Sequence, residues 1–209
     1  ASITWTTGAA YAGAIFTEYK QTAEGHEMTF ALNHLNYFLL THLLLDTLKA
    51  SGTADDKARI VNVSSEAHRP AKLNLSHLEM PRDKYNGLSA YNQSKLMNVM
   101  FTYELARRLE GTNVTATVLH PGVVSTGFAR NNGWLERMLV TLLKPFAKNA
   151  EQGAETMIYL ATSPEVEGVN GKYFDNCKQK RTNEFSYNEA AQRQLWEHSE
   201  AVTGIKEMA

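Results

Sequence analysis

Tyr91 and Lys95 stand four residues apart in the segment "YNQSK", close to the start of a helical pattern. Residues at this spacing project from the same face of a helix, so we expect the phenol and the ammonium to be neighbours. A phenol has an ordinary pKa of about 10, and a nearby ammonium lowers that pKa because it stabilises the phenolate. The pair could therefore move a proton at neutral pH.

Three further polar features could complete such a site. Ser64 and Ser65 close the segment "IVNVSS", the segment "HPGVVST" closes the next strand-like run, and Asn33 lies in the helical pattern before the serines. A serine hydroxyl can hydrogen-bond a carbonyl or an alcohol. Together with Tyr91 and Lys95 it could move a proton on or off a hydroxyl-bearing carbon, whereas a hydride would have to come from a nicotinamide.

Each of these features also has a purely structural explanation. A Tyr and a Lys at this spacing occur on many helix surfaces, and serine pairs and Pro-Gly pairs commonly form turns. Asn33 could be a hydrogen-bonded polar group inside a packed helix. Their order, their spacing and their expected place at one edge of a sheet favour the catalytic interpretation when they are taken together.

Helix-like and strand-like patterns alternate along the chain. Helical patterns cover residues 25–50, 90–110, 133–147, 150–163 and 187–202, strand patterns cover 59–65, 114–120 and 171–174, and an irregular stretch covers 66–89. This rhythm predicts an α/β fold with a doubly wound, Rossmann-like parallel sheet. Ligands bind beyond the carboxyl ends of the strands in such sheets, which is where the serines and the Pro-Gly pair fall.

Composition narrows the class of protein. The chain has 209 residues, 43% of them hydrophobic, and a net charge of −1, which predicts one globular domain and no nucleic-acid partner. Cys177 is the only cysteine, which excludes an internal disulfide and favours a reduced, cytoplasmic setting. The seven histidines lack paired ligand spacing, so we expect no metal. No segment has the roughly 18 apolar residues of a membrane span.

The sequence resembles the short-chain dehydrogenase/reductase family, and within it the retinol dehydrogenase-like branch. The resembling stretches are "TAEGHEMTFALNHLNYFLLTHLLL", "RIVNVSSEAH", "YNGLSAYNQSKLMNVMFTYELARRL", "VLHPGVVST" and "SPEVEGVNGKYF". The resemblance implies an oxidoreductase that interconverts an alcohol and a carbonyl with NAD or NADP. A non-catalytic fragment that acts by dimerisation or partner binding is the alternative.

The resemblance also implies roles for single residues. Tyr91 would be the general acid/base, and Lys95 would lower its pKa and hold the nicotinamide ribose. Ser65, the second serine of its pair, would orient the substrate oxygen, and Asn33 would organise a proton-relay water. The implied cofactor contacts are Gly13, Tyr91, Lys95, Pro121, Gly122, Val124 and Thr126, and the implied substrate contacts are Ser65 and Tyr91.

The segment "TTGAAYAGAIF" (6–16) looks like a phosphate-binding loop but departs from that pattern. Counted from Gly8, the loop needs glycines at 12 and 14, where the chain has Ala12 and Ala14. The segment "YAG" instead resembles the end of the family's fourth strand, with Tyr11 in place of an Asn. We therefore expect an N-terminally incomplete sheet, an atypical leader at 1–10 in a single domain of residues 1–209, and weak or no binding of NAD(P).

Two further expectations concern surfaces. The resemblance implies a homodimer in which helices 25–50 and 90–110 pair as a four-helix bundle; the alternative is that they only cover the sheet. Residues 133–149 carry one apolar stripe, which indicates a lid over a bulky apolar substrate, an ordinary packed helix or, less favoured because of its few basic residues, a membrane-surface helix.

Overall fold

The computed structural model of the chain describes residues 5–6, 13–122 and 150–205. In chain order the elements are β1 (Trp5–Thr6), α1 (Met28–Phe30), a π-helical turn (Ala31–Leu35), α2 (Asn36–Ser51), β2 (Ala58–Val63), α3 (Gly87–Arg108), β3 (Val114–His120), α4 (Ala150–Thr162), β4 (Lys172–Asp175), β5 (Lys178–Gln179) and α5 (Glu189–Thr203). Short 3-10 turns lie at Glu66–His68, Arg82–Lys84, Pro164–Val166 and Glu184–Tyr187.

The sheet has the order β1-β2-β3-β4-β5. β1 to β4 are parallel, and β5 turns back to pair antiparallel with β4. At the carboxyl end, Val63 of β2 pairs with Leu119 of β3, and His120 pairs with Asp175 of β4. The predicted parallel α/β sheet is confirmed, and the residues that follow these strands share one edge.

Both faces of the sheet are covered, as a doubly wound fold requires. Successive residues of a strand point to opposite faces, and β2 shows this alternation. Ala58 and Ile60 pack with the apolar residues of α2 and α3, whereas Val61 and Val63 pack with Leu160 of α4. β2 is buried along its whole length, so its β-branched sequence suits a central strand.

Several boundaries differ from the predicted ones. β2 ends at Val63, so the two serines follow the strand instead of closing it. α3 begins at Gly87 because the Asn86 side chain caps it, accepting from Ser89 N at 2.9 Å. A Cβ at Gly87 would come within 2.1 Å of the Phe16 carbonyl oxygen, so only glycine allows this close approach. The pattern 25–50 becomes α1, the π-helical turn and α2.

Helix α5 covers α2 and α3 on the side away from the sheet. The Trp196 ring lies 5.0 Å from Phe38 of α2 and 5.7 Å from Phe101 of α3, between ring centroids. The Arg108 guanidinium stands 4.3 Å from the Trp196 ring, a cation–π contact. Much of the apolar face that we assigned to a dimer interface is therefore occupied within the chain.

Some predictions fall on residues that the structure does not describe. These are the helix at 133–147 with its apolar stripe, and all of the leader 1–10 except β1. Over the described ranges, no helix combines the length and the apolar character needed to cross a bilayer.

Candidate active site

The site is built on the first three turns of α3. Tyr91 and Lys95 both face the sheet, with 8% and 1% of their surface exposed. Lys95 Nζ stands 5.6 Å from the centroid of the Tyr91 ring and donates to the Val63 carbonyl at the end of β2, at 3.5 Å. The predicted juxtaposition of phenol and amine is therefore present at the carboxyl edge of the sheet.

The two serines after β2 have different surroundings. Ser64 is buried, and its hydroxyl donates to the main-chain carbonyl of Lys95 at 2.7 Å, which ties the strand end to α3. Ser65 begins the 3-10 turn Glu66–His68, and its hydroxyl accepts from Ala67 N at 3.2 Å. The Ser65 side chain also acts on Tyr91, because it lowers the pKa of the phenol. This arrangement supports the choice of Ser65, because the Ser64 hydroxyl is used in the scaffold.

Asn33 lies in the π-helical turn and is fully buried. Its Oδ1 accepts from Ala14 N and its Nδ2 donates to Ala14 O, both at 2.9 Å. The same Nδ2 donates to Ser94 Oγ at 3.0 Å, and Ser94 Oγ donates to the Tyr91 carbonyl at 2.7 Å. The amide therefore connects the segment after β1 to the turn of α3 that carries Tyr91.

Gly13 completes this side of the site. Its φ of +132° lies in the region that favours glycine. A Cβ at this position would lie 2.8 Å from Lys95 Nζ and 2.9 Å from Asn33 Oδ1. The backbone at residue 13 thus lies close to the Lys95 amine, and any residue with a Cβ would displace Lys95 or Asn33.

Burial controls the proton affinities of the central pair. It raises the pKa of Tyr91 to about 12, although the hydrogen bond from Ser65 acts in the opposite direction. Burial also lowers the pKa of Lys95 to about 7. We expected Lys95 to lower the pKa of Tyr91. In the structure the largest influence on that pKa is burial, which raises it.

The remaining predicted residues fall into two groups. Pro121 and Gly122 follow β3 at the same edge as the serines, and Gly122 has a φ of +85°. Val124 and Thr126 lie outside the described residues, as does Tyr11. The structure therefore brings together Gly13, Asn33, Ser65, Tyr91 and Lys95, with Pro121 and Gly122 following the adjacent strand.

Two contributors were missed from the sequence. Ser94 connects Asn33 to α3, and Ser64 fixes α3 to β2. Ser94 lies three residues after Tyr91, at a spacing that puts it on nearly the same helix face, so this signal was available. The resemblance selected Ser65 over Ser64, but the scaffold role of Ser64 had no signal in the sequence, because it arises from the point at which β2 ends.

Comparisons with known proteins agree with this geometry. The family model described as short chain dehydrogenase matches residues 7–134. The chain is 46% identical to retinol dehydrogenase 14 of Mus musculus, over 93% of this chain and 58% of that protein. It is 44% identical to polyprenol dehydrogenase of Homo sapiens, over 93% and 59%. It thus spans less than two thirds of the length of these curated relatives.

Solved structures give the same fold. An uncharacterized protein from Mycobacterium Paratuberculosis superposes with a TM-score of 0.72 and 29% identity, over 94% of this chain and 66% of that one. The NADPH-bound carbonyl reductase from chicken fatty liver has a TM-score of 0.54 at 18% identity, over 82% and 63%. At that identity the second likeness concerns the fold alone.

Proposed function

We propose that this chain, which belongs to the short-chain dehydrogenase/reductase family, interconverts an alcohol and a carbonyl with NAD or NADP. One arrangement carries the proposal. The buried Lys95 amine lies 5.6 Å from the centroid of the Tyr91 ring, and the Ser65 side chain lies close enough to Tyr91 to lower the pKa of the phenol. A proton carrier, a neighbouring amine and an orienting hydroxyl are the groups that the protein must supply for this reaction.

Tyr91 is the proposed general acid/base. Because its pKa is raised to about 12 by burial, the phenol holds its proton at neutral pH. In the reducing direction Tyr91 donates this proton to the carbonyl oxygen of the substrate, and in the oxidising direction it accepts the alcohol proton.

Ser65 and Lys95 assist Tyr91 in different ways. Ser65 orients the substrate oxygen toward the phenol, since its side chain is near enough to Tyr91 to lower the pKa of the phenol. Lys95, with a pKa of about 7, can replace the proton that Tyr91 gives up, because its ammonium and amine forms are both populated near neutral pH.

Asn33 is proposed to support the proton relay by position. Its amide holds both backbone polar groups of Ala14, and this segment lies against Lys95. The position of any water beside Lys95 would depend on this fixed segment. The role is consistent with the π-helical turn that carries Asn33, because such turns are frequent at functional sites.

NAD or NADP supplies the hydride when bound. The residues present fit the nicotinamide end, because Lys95 Nζ is a buried donor next to the bare backbone of Gly13. Lys95 and Tyr91 would hold the ribose hydroxyls. Gly13, Pro121 and Gly122 would line the nicotinamide end, and the resemblance adds Val124 and Thr126.

The proposed substrate class is a bulky apolar alcohol or its carbonyl counterpart. The names of two relatives, retinol dehydrogenase 14 and polyprenol dehydrogenase, describe proteins that act on apolar alcohols. Both are more than 40% identical to this chain over nearly all of its length. The proposal transfers that substrate class to this chain.

The test is a reductase assay at millimolar NADH or NADPH, followed by loss of the reduced cofactor's absorbance. An isoprenoid aldehyde is compared with acetaldehyde, and we expect a higher kcat/KM for the isoprenoid aldehyde. Consumption of neither aldehyde with either cofactor would contradict the proposed activity. Equal kcat/KM values for the two aldehydes would support the activity but contradict the proposed preference for bulky apolar substrates.

Homodimerisation remains a prediction. Because α5 covers much of the α2 and α3 faces, the remaining apolar surface on this side includes Leu39 and Leu43 of α2. We propose that any dimer uses this strip. Light scattering at micromolar concentration measures the mass, and a monomer would show that α2 and α3 serve only to cover the sheet.

A further inference from the structure

His68 ends the 3-10 turn that Ser65 begins, and it hydrogen-bonds to the Ser65 main chain. The His68 side chain is completely buried. Its Nδ1 lies 2.6 Å from the Ser65 carbonyl oxygen, and its main-chain N–H donates to the same oxygen at 3.0 Å. A carbonyl oxygen can only accept, so the neutral ring carries its proton on Nδ1.

The other ring nitrogen shows that packing alone does not explain a histidine here. Among the described residues, Nε2 of His68 is buried and has no hydrogen-bond partner. Burial lowers the pKa of the ring, which favours its neutral form. A leucine would fill the space without leaving a buried acceptor unpaired, so the useful property of the imidazole is its Nδ1–H donor.

The surroundings of His68 keep the ring in one orientation. The Tyr173 ring of β4 lies 5.0 Å away, and the Tyr173 hydroxyl donates to Glu66 at 2.9 Å. Glu66 also forms an ion pair with Arg69. Asn183 Nδ2 donates to the main-chain carbonyls of His68 and Arg69, at 3.3 Å and 2.8 Å. The turn is therefore braced from β4 and from the segment before α5.

These contacts converge on a single peptide group. Ser65 has an extended backbone, with φ −159° and ψ 156°, and its carbonyl receives both His68 donors. Fixing this carbonyl fixes ψ of Ser65, and with it the direction of the Cα–Cβ bond that carries the hydroxyl. This hydroxyl is the group of Ser65 that lowers the pKa of Tyr91.

We propose that His68 is a positioning residue that orients the Ser65 hydroxyl toward Tyr91 through its Nδ1–H bond to the Ser65 carbonyl. The proposal rests on the proposed function for its kinetic consequence. His68 contacts neither substrate nor cofactor in this assignment, and its effect on the reaction passes entirely through Ser65.

The first test compares two substitutions of His68. His68→Leu removes the donor and should lower kcat for aldehyde reduction about 10-fold, below the roughly 10²-fold that a large misplacement can cost. His68→Asn keeps an amide N–H at the same branch of the side chain and should stay within about threefold of the parent. An equal loss in both variants would overturn the proposal, because the donor would then be irrelevant.

His42 of α2 provides a matched control. Its Nδ1 lies 2.8 Å from the Phe38 carbonyl oxygen, and its Nε2 is also buried without a partner among the described residues. The ring packs on Trp196, remote from Ser65. His42→Leu therefore removes the same kind of bond and should leave kcat unchanged. A fall in kcat equal to that of His68→Leu would overturn a specific role for His68.

A double substitution tests whether His68 acts through Ser65. In a Ser65→Ala background, His68→Leu should cause no further loss of kcat, because the hydroxyl to be oriented is absent. A double variant whose loss of kcat equals the product of the two single losses would overturn the proposal. If Ser65→Ala alone had no effect on kcat, the role of Ser65 in the proposed function would fail instead.

A nitrogen-15 NMR experiment on the histidine rings tests the contact without any catalysis. We expect a slowly exchanging Nδ1 proton on His68, coupled across the hydrogen bond to the Ser65 carbonyl carbon, with Nε2 unprotonated. A ring protonated on Nε2 would overturn the proposal even if the enzyme were active. If the NMR signal is present but the chain reduces no aldehyde, the hydrogen bond is established and the proposed function is wrong.

Discussion

Helices α2 and α3 lie side by side on one face of the sheet, yet they differ in burial. Sixteen of the 22 residues of α3 are buried, against five of the 16 residues of α2. α3 lies between the sheet and α5, whereas α2 leaves Leu43 with 68% of its surface exposed. Residues of α2 should therefore tolerate substitution better than residues of α3.

Because α3 is so deeply buried, each polar side chain on it or facing it needs a structural or functional reason to be there. Polar side chains on or facing α3 are paired in part: Asn62 Nδ2 donates to Thr102 Oγ1 at 2.9 Å, and Asn98 Nδ2 donates to the Val63 carbonyl at 3.2 Å. The Oδ1 atoms of both amides are buried without a hydrogen-bond partner among the described residues. Burial without such partners is costly. Tyr91 and Lys95 are buried in this environment with perturbed pKa values, which is typical of functional groups.

The sharpest way to test this contrast is Tyr91→Phe. We expect turnover to fall by about 10² to 10⁴ with little change in the free energy of unfolding, because the ring still packs and only the proton carrier is lost. Tyr103→Phe, on the same helix, removes a hydroxyl that lies 3.0 Å from Thr182 Oγ1. Unchanged turnover in Tyr91→Phe, or an equal fall in Tyr103→Phe, would contradict the assignment.

Trp196→Ala tests whether α5 is responsible for the burial of α3. The ring is fully buried between α2 and α3, so its removal should lower the free energy of unfolding by about 3–5 kcal/mol. Leu43→Ala, on the exposed side of α2, should change it by no more than about 0.5 kcal/mol. Chemical denaturation measures both. Similar values for the two variants would show that α5 contributes little to the fold.

Lys95→Met tests the cost of a buried amine through its pH dependence. The folded pKa of about 7 lies below the unfolded value of 10.5, so between them the unfolded chain binds the extra proton. Stability from this group should therefore rise with pH, by up to about 1.4 kcal/mol per pH unit. Over pH 7 to 9 that is about 2 kcal/mol. Denaturation curves of Lys95→Met should lack this rise; the same slope in both proteins would assign it elsewhere.

Gly13→Ala tests the approach of the backbone to Lys95, with Gly25→Ala as its control. Both glycines have positive φ, but a Cβ at Gly25 meets nothing within 4 Å. Each alanine should cost about 1 kcal/mol of stability from backbone strain. Only Gly13→Ala should also lower kcat, by about 10-fold, because it displaces Lys95 or Asn33. Parallel losses of kcat in the two variants would point to strain alone.

Patterns in the sequence predicted the parts of the fold that depend on periodicity. The strand at 114–120 was predicted with the bounds that β3 has, because a buried β-branched run ends at Pro121. The hairpin β4–β5 was missed. Its turn uses Asn176 and Cys177 at positive φ, and a Cys in that conformation gives no turn signal.

The site was predicted as a set of residues, but their energetics were not. The spacing of Tyr91 and Lys95 gave their proximity, whereas the direction of the Tyr91 pKa depended on burial by neighbours distant in the sequence. The π-helical turn around Asn33 was also unpredicted. Its wider turn depends on contacts with Ala14 and Ser94, which are 19 and 61 residues away along the chain.

The π-helical turn around Asn33 affects the order in which contacts can form while the chain is being synthesised. Beside Asn33, His34 is hydrogen-bonded through Nε2 to Ser199 Oγ of α5 at 2.8 Å, across 165 residues of sequence. At a synthesis rate of roughly 5–20 residues per second, the ribosome releases Ser199 many seconds after His34. The nascent chain therefore carries every residue of the site before it can brace the turn that holds Asn33. Chaperone contact or premature termination near the carboxyl terminus would act on a chain whose site is complete in sequence and still unsupported.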